Sequence, residues 1–214
     1  MSTPEALGLL SLVQWLSPAF PTGAFAYSHG LEQAVAEGDV RDAPALADWL
    51  ADILAHGAGW NDAVLLACAL RGEDLAPLAD LARALAGSAE RLHETEAQGA
   101  AFTRAQAEMT GAPLEPLPLP LAVARAARGL ALPAGQVIAL FQHSFASNLV
   151  SAGVRFVPLG QSAGQAVLAG LHPMIAALAA RAVTATRADL ASAAFRAELQ
   201  AAAHETLDVR IFKT

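Results

Sequence analysis

The chain has 214 residues, of which 55% are hydrophobic and 15% charged; this fits one domain or at most two small ones and excludes disorder over most of its length. Its 13 Lys and Arg against 20 Asp and Glu leave a formal charge of -7, so no nucleic-acid partner is expected from general electrostatics. The single cysteine, Cys68, cannot form an internal disulfide, and the opening MSTPEALGLL has no basic stretch of the kind that starts a secretory signal, so the expected compartment is a reducing cytoplasm.

Alanine and leucine dominate and no segment alternates apolar and polar positions for long, so the expected class is all-α, a single-domain bundle of roughly ten helices. Ser2 and Glu5 have capping-box spacing ahead of an apolar run through Leu9, Leu12, Val13 and Leu16. Ser17-Pro18 and Pro21-Thr22-Gly23 stop that helix. A second is predicted from Ala24 to Ala36, and a third from Asp42, with Pro44 in its first turn and Leu46, Leu50, Ile53 and Leu54 on one face. Gly57 and Gly59 break it, Asn61 or Asp62 caps the next helix through Leu70, and Arg71 to Asp74 make a turn.

Leu75 to Leu85 reads as a short helix and Ser88 to Met109 as a longer one whose charges, Glu90, Arg91, Glu94, Glu96, Arg104 and Glu108, are expected to face solvent. GAPLEPLPLP, Gly111 to Pro120, is the one strong linker candidate; it either separates two halves or joins helices of one bundle. Helices are then predicted over Leu121 to Leu130, Ala134 to Ala152, Gln161 to Leu171, Pro173 to Thr186 and Ala188 to Ala203. The helical domain is thus residues 1–203, and 204–214 is a tail expected to bind a partner and to order on binding.

Between Gly129 and Arg181 the only charged residue is Arg155, which leaves two uncharged runs long enough to span a bilayer. Gln136, Gln142, His143, Asn148, Gln161 and Gln165, with Pro158 and Pro173, interrupt them, so buried soluble helices are expected and no membrane. A lone Arg155 buried among them would need a partner, an interface or a wet passage, which Gln142, Ser144, Ser147, Asn148 and Ser151 could line; ordinary hydrogen bonding between helices would equally account for those five.

Gly160-Gln161-Ser162-Ala163-Gly164 matches the nucleophile elbow of serine hydrolases, and Asp189 and His204 follow in the chain order that such enzymes use. The elbow requires a strand-to-helix turn in a parallel sheet, and no Val/Ile-rich strands alternate with helices here, so a small-residue turn is the preferred reading and a hydrolase the alternative. Six scattered histidines and one cysteine supply no local metal-ligand spacing, so no metal site is expected. No phosphate-binding glycine motif is present, so the chain itself should not hydrolyse GTP or ATP.

Three segments carry a resemblance: SPAFPTGAFAYSHGLE (Ser17 to Glu32), SNLVSAGVRFVPLGQSAGQ (Ser147 to Gln165) and the ending HETLDVRIFKT (His204 to Thr214). In order and spread, they are similar to the UreF family of urease accessory proteins. The resemblance implies an all-α, dimeric, non-enzymatic chaperone component. It would join UreD (also called UreH) and the GTPase UreG on apo-urease, with nickel entering the urease site as GTP is hydrolysed and no cofactor bound tightly by this chain. Carried over by position, the partner-binding residues are Gly23, Phe25, Tyr27, Gly30 and Glu32 in the first motif, and Asn148, Arg155, Gly160, Gln161 and Gln165 in the second. Arg210, Phe212 and Lys213 belong to the ending. Ala163 where the family often has an acid, and Ile211, Lys213 and Thr214 for the usual Leu, Arg and Ser, are departures.

Overall fold

Residues 59–69 are all buried, an uninterrupted stretch that leaves this helix no solvent face, so the rest of the chain is wrapped around it. The computed structural model describes residues 2–214 and is helical throughout, with no strand among the described residues. The helices are α1 (Thr3–Trp15), α2 (Leu31–Ala36), α3 (Ala43–His56), α4 (Ala58–Leu70), α5 (Leu75–Ala84), α6 (Ala89–Thr110), α7 (Leu119–Ala127), α8 (Ala134–Phe156), α9 (Gln161–Ala182) and α10 (Phe195–His204). The buried helix is α4, packed by α3, α5, α7, α8 and α9, and the expected all-α bundle of about ten helices holds.

Local chemistry accounts for the helix ends. Ser2 and Glu5 form the expected capping box, Asp42 accepts the Ala45 N–H, and Ser88 accepts the Arg91 N–H. Arginines close the other ends: Arg128 donates to the carbonyls of Ala69 and Glu73, and Arg71 to those of Val183 and Ala185, so carbonyls at and just beyond the ends of α4 and α9 find partners.

Several predicted boundaries move, each for a tertiary reason. The helix expected from Ala24 to Ala36 is a single 3-10 turn over Ala24–Ala26 followed by α2, because the backbone between them bonds elsewhere. Asn61 and Asp62 cap nothing. They lie inside α4, Asn61 accepting the Ala191 N–H and Asp62 pairing with Arg91. The last predicted helix starts at Phe195 rather than Ala188, since the preceding segment is pinned to the α3–α4 joint: Trp60 Nε1 donates to Asp189 O and Ala193 N to His56 O.

The two helices predicted on either side of His172 are one, α9, which runs through Pro173. Its apolar row Val167, Leu171, Ile175, Leu178 and Ala182 is buried without a break, whereas Ala169, whose carbonyl the proline deprives of a partner, and Pro173 itself are exposed to water. The proline-rich stretch is no loose linker. Gly99 of α6 lies so close to it that a Cβ there would collide with Leu117 O, and Arg125 ties Glu115 O to the helical body.

Three helical stretches have the length and hydropathy to cross a membrane: Ala43–Leu70, Ala134–Phe156 and Gln161–Ala182. In the first, 78% of the most apolar window is buried within the protein, which is where a central helix hides its apolar surface.

Candidate functional site

After the prolines that follow α1, the backbone turns through positive φ at His29 (53°) and Gly30 (72°). A Cβ on Gly30 would stand 2.5 Å from Ala201 N in α10, so glycine serves both the left-handed turn and the close approach of two backbones. The turn delivers Glu32, only 6% exposed, to the end of α10.

The Glu32 carboxylate accepts the N–H of Ile211 and of Phe212, both at 2.9 Å, and lies 3.2 Å from His204 Nε2. His204 is fully buried and reaches Glu90 at 2.7 Å through Nδ1, while Arg210 pairs with the same Glu90. Charge-assisted bonds of this kind are what allow an acid to be buried. Next along the tail, Lys213 N donates to Ala26 O at 2.8 Å, its ammonium lies 5.9 Å from the centre of the Tyr27 ring, and the N–H groups of Ser28 and His29 meet Thr214 Oγ1 at 3.1 and 3.2 Å.

The second motif arrives at the same place from the end of α8. The Phe156 ring lies 5.2 Å from that of Phe212, which is buried, and the Arg155 guanidinium is 5.7 Å from the Phe212 ring centre. Tyr27, Gly30, Glu32, Arg155, Arg210, Phe212 and Lys213 are therefore brought together. Phe25 is 54% exposed, Gly23 opens the 3-10 turn with no close neighbour, and Gly160, Gln161 and Gln165 sit exposed where α9 begins. Arg155 is exposed rather than buried, so it needs no partner to offset desolvation.

Beneath this surface lies a charged cluster that the sequence reading missed. Arg91 and Glu94, expected on a solvated face, turn inward from α6. Arg91 pairs with Asp62 at 2.7 Å, and Glu94 accepts from His29 Nε2 at 2.9 Å and from Gln98 at 2.8 Å. Burial pushes the Glu94 carboxyl up, but His29, Arg91 and Gln98 outweigh it and hold it below the usual glutamate value. For Asp62 burial wins over Arg91, and the carboxyl lies above its ordinary value. The spacing of Arg91, Glu94 and Gln98, three and seven residues apart, marks one helical face and was the available signal.

Two partly open cavities, of about 60 and 70 Å³, share His29, Asp62 and Arg91 in their linings. Each has room for ordered water. Asn148 lines the first, as does Ser144, whose hydroxyl also donates to Leu16 O at 2.7 Å. Gln142 and Ser151 instead make bonds within the helical body, to Gly59 O at 3.4 Å and Ser147 O at 2.9 Å.

The alternative triad is not assembled. Ser162 is exposed in the first turn of α9, Asp189 accepts the Thr186 N–H and hydroxyl at 2.8 and 3.0 Å, and both ring nitrogens of His204 face glutamates. The sheet that an elbow needs has no strand among the described residues. Nor do three His, Cys, Asp or Glu converge as a metal site among them.

A family model described as UreF matches residues 40–172. A urease accessory protein UreF of Cereibacter sphaeroides (strain KD131 / KCTC 12085) is 64% identical over 206 residues, covering 96% of this chain and 98% of that protein. One from Paracoccus denitrificans (strain Pd 1222) is 55% identical over 213 residues, 99% of this chain and 98% of the relative, and one from Dinoroseobacter shibae (strain DSM 16493 / NCIMB 14021 / DFL 12) is 50% identical over 205 residues.

Proposed function

Since the chain belongs to the UreF family of urease accessory proteins, we propose that it is a non-catalytic scaffold that joins UreD (UreH) and the GTPase UreG on apo-urease, so that nickel is inserted with GTP hydrolysis under control. The reading includes a cytoplasmic homodimer that binds no cofactor tightly and no membrane, with nickel as cargo passing through the assembled complex.

The observation that supports it is the docked tail. Its backbone is tied down through Glu32 and Ala26 and its Phe212 faces inward, which leaves Val209 (79% exposed), Arg210, Ile211 (72% exposed) and Lys213 pointing outward on a fixed support. Exposed apolar side chains interleaved with cations on a held backbone suit a protein partner, because ordering costs have already been met inside the chain. Phe195 and Leu199 extend the apolar surface along α10.

The test is co-expression with tagged UreD, UreG and apo-urease, followed by pull-down and a nickel-dependent urease assay with and without this chain. A retained complex with activity that requires the chain is expected. Failure of every partner to be retained, with urease activity indifferent to the chain, would overturn the reading.

A further inference from the structure

Two histidines outside the docked tail meet on the α8–α9 hairpin. The helices run antiparallel: a Cβ on Gly164 would touch Val154 and Val150 near the turn, and one on Gly135 would touch Val183 at the far end. That register sets His143 of α8 beside His172 of α9, with ring centres 5.3 Å apart and ring planes at 47°. His172 is exposed and His143 half-buried, so the pair opens to solvent.

From this juxtaposition we infer that His143 and His172 form a surface site for one divalent first-row transition-metal ion, of the nickel, zinc or copper class, with water completing the coordination. Imidazole nitrogen is the donor these ions favour, whereas magnesium and calcium need oxygen ligands. Rotation about the side-chain torsions can set one nitrogen of each ring about 2.0–2.1 Å from a shared ion, given two rings already in contact. Apart from Arg155 and Arg181 the two helices carry no charged side chain, so no carboxylate on them draws the rings away. The contrast with the other histidines is chemical: His29 and His204 are committed to glutamates, and His56 and His93 are exposed without a second ring beside them.

The site goes beyond the scaffold role, since it depends only on this chain's own imidazoles and would persist if no urease component bound. The experiment is calorimetric titration of the full-length, tag-free protein with nickel chloride, and separately with zinc sulfate followed through the histidine ring NMR signals. About one equivalent is expected to bind, with the His143 and His172 signals moving together. His172→Ala, an exposed change, should weaken binding at least about tenfold, the loss that removing even an outer supporting group inflicts on a metal site. His143→Gln should do the same with far-UV circular dichroism unchanged, and His93→Ala should leave affinity as it was. Undiminished binding in His172→Ala, an equal loss in His93→Ala, or no saturation below about 1 mM metal would overturn the inference.

Discussion

The carboxylate of Glu32 accepts the backbone N–H of Phe212 at 2.9 Å across 180 residues of sequence. An acid near the start of the chain thereby sets the position of its last aromatic residue, and the outward presentation of Arg210 and Lys213 depends on that bond. Glu32→Gln keeps the shape but removes the charge. The expected outcome is a loss of about 1.5–3 kcal/mol, the worth of one hydrogen bond to a charged group, together with faster hydrogen exchange at Ile211 and Phe212 than in α4.

Arg210 is 42% exposed and among the described residues pairs only with Glu90, which keeps His204 as a second partner, so its removal should cost about 1 kcal/mol. Arg210→Ala is expected to weaken recruitment of the GTPase complex in a pull-down while the circular dichroism spectrum stays the same. Unchanged co-purification would count against a partner role for the tail.

Glu94 gives a pH-dependent prediction. Its folded value lies below its unfolded one, so the stabilisation it provides is full above the unfolded value and is lost as pH falls through the folded value. Glu94→Gln leaves His29 and Arg91 short of a buried anion and should cost about 3–5 kcal/mol at neutral pH. Thermal melts across pH should show the gap between wild type and variant closing below about pH 4.3, the ordinary glutamate value.

Gly30 and Gly38 offer a matched pair. Both have positive φ, 72° and 79°, but a Cβ on Gly38 would meet nothing within 4 Å whereas one on Gly30 would meet the α10 backbone. Gly38→Ala should cost about 1–2 kcal/mol, the price of a left-handed alanine. Gly30→Ala should cost clearly more in urea unfolding, because α10 must move, and should expose the tail to proteolysis.

Ser162→Ala should change neither urease maturation nor reactivity toward a serine-hydrolase probe, with no labelling of the wild type. Labelling at Ser162 would revive the hydrolase alternative that the separated Asp189 and His204 now oppose.

Helix content, most caps and the three motifs were legible in the sequence because they depend on neighbours in the chain. Ser2 with Glu5, Asp42 and Ser88 signal helix starts through local hydrogen bonds, and these held. What the sequence hides is residues whose partners lie far along the chain: Asn61 looks like a cap because its partner, the Ala191 N–H, is 130 residues away, and Arg91 looks solvated because Asp62 belongs to another helix. Pro173 looks like a break because the sequence does not reveal that both it and Ala169, whose carbonyl it frees, are exposed residues of one continuous helix. In the docked tail, the motif residues were visible in advance. That Glu32 holds the backbone while Arg155 covers Phe212 was not, since neither spacing nor composition encodes a contact between chain ends.

The all-round burial of α4 has a consequence for synthesis. This helix leaves the ribosome well before α8 and α9, which supply two of its covering faces. At roughly 5–20 residues per second, those faces remain uncovered for on the order of ten seconds. During that interval α4 is an apolar rod without its jacket, open to self-association or to capture by general chaperones. Yield of soluble protein should therefore respond to translation speed and growth temperature more sharply than the stability of the finished bundle would suggest.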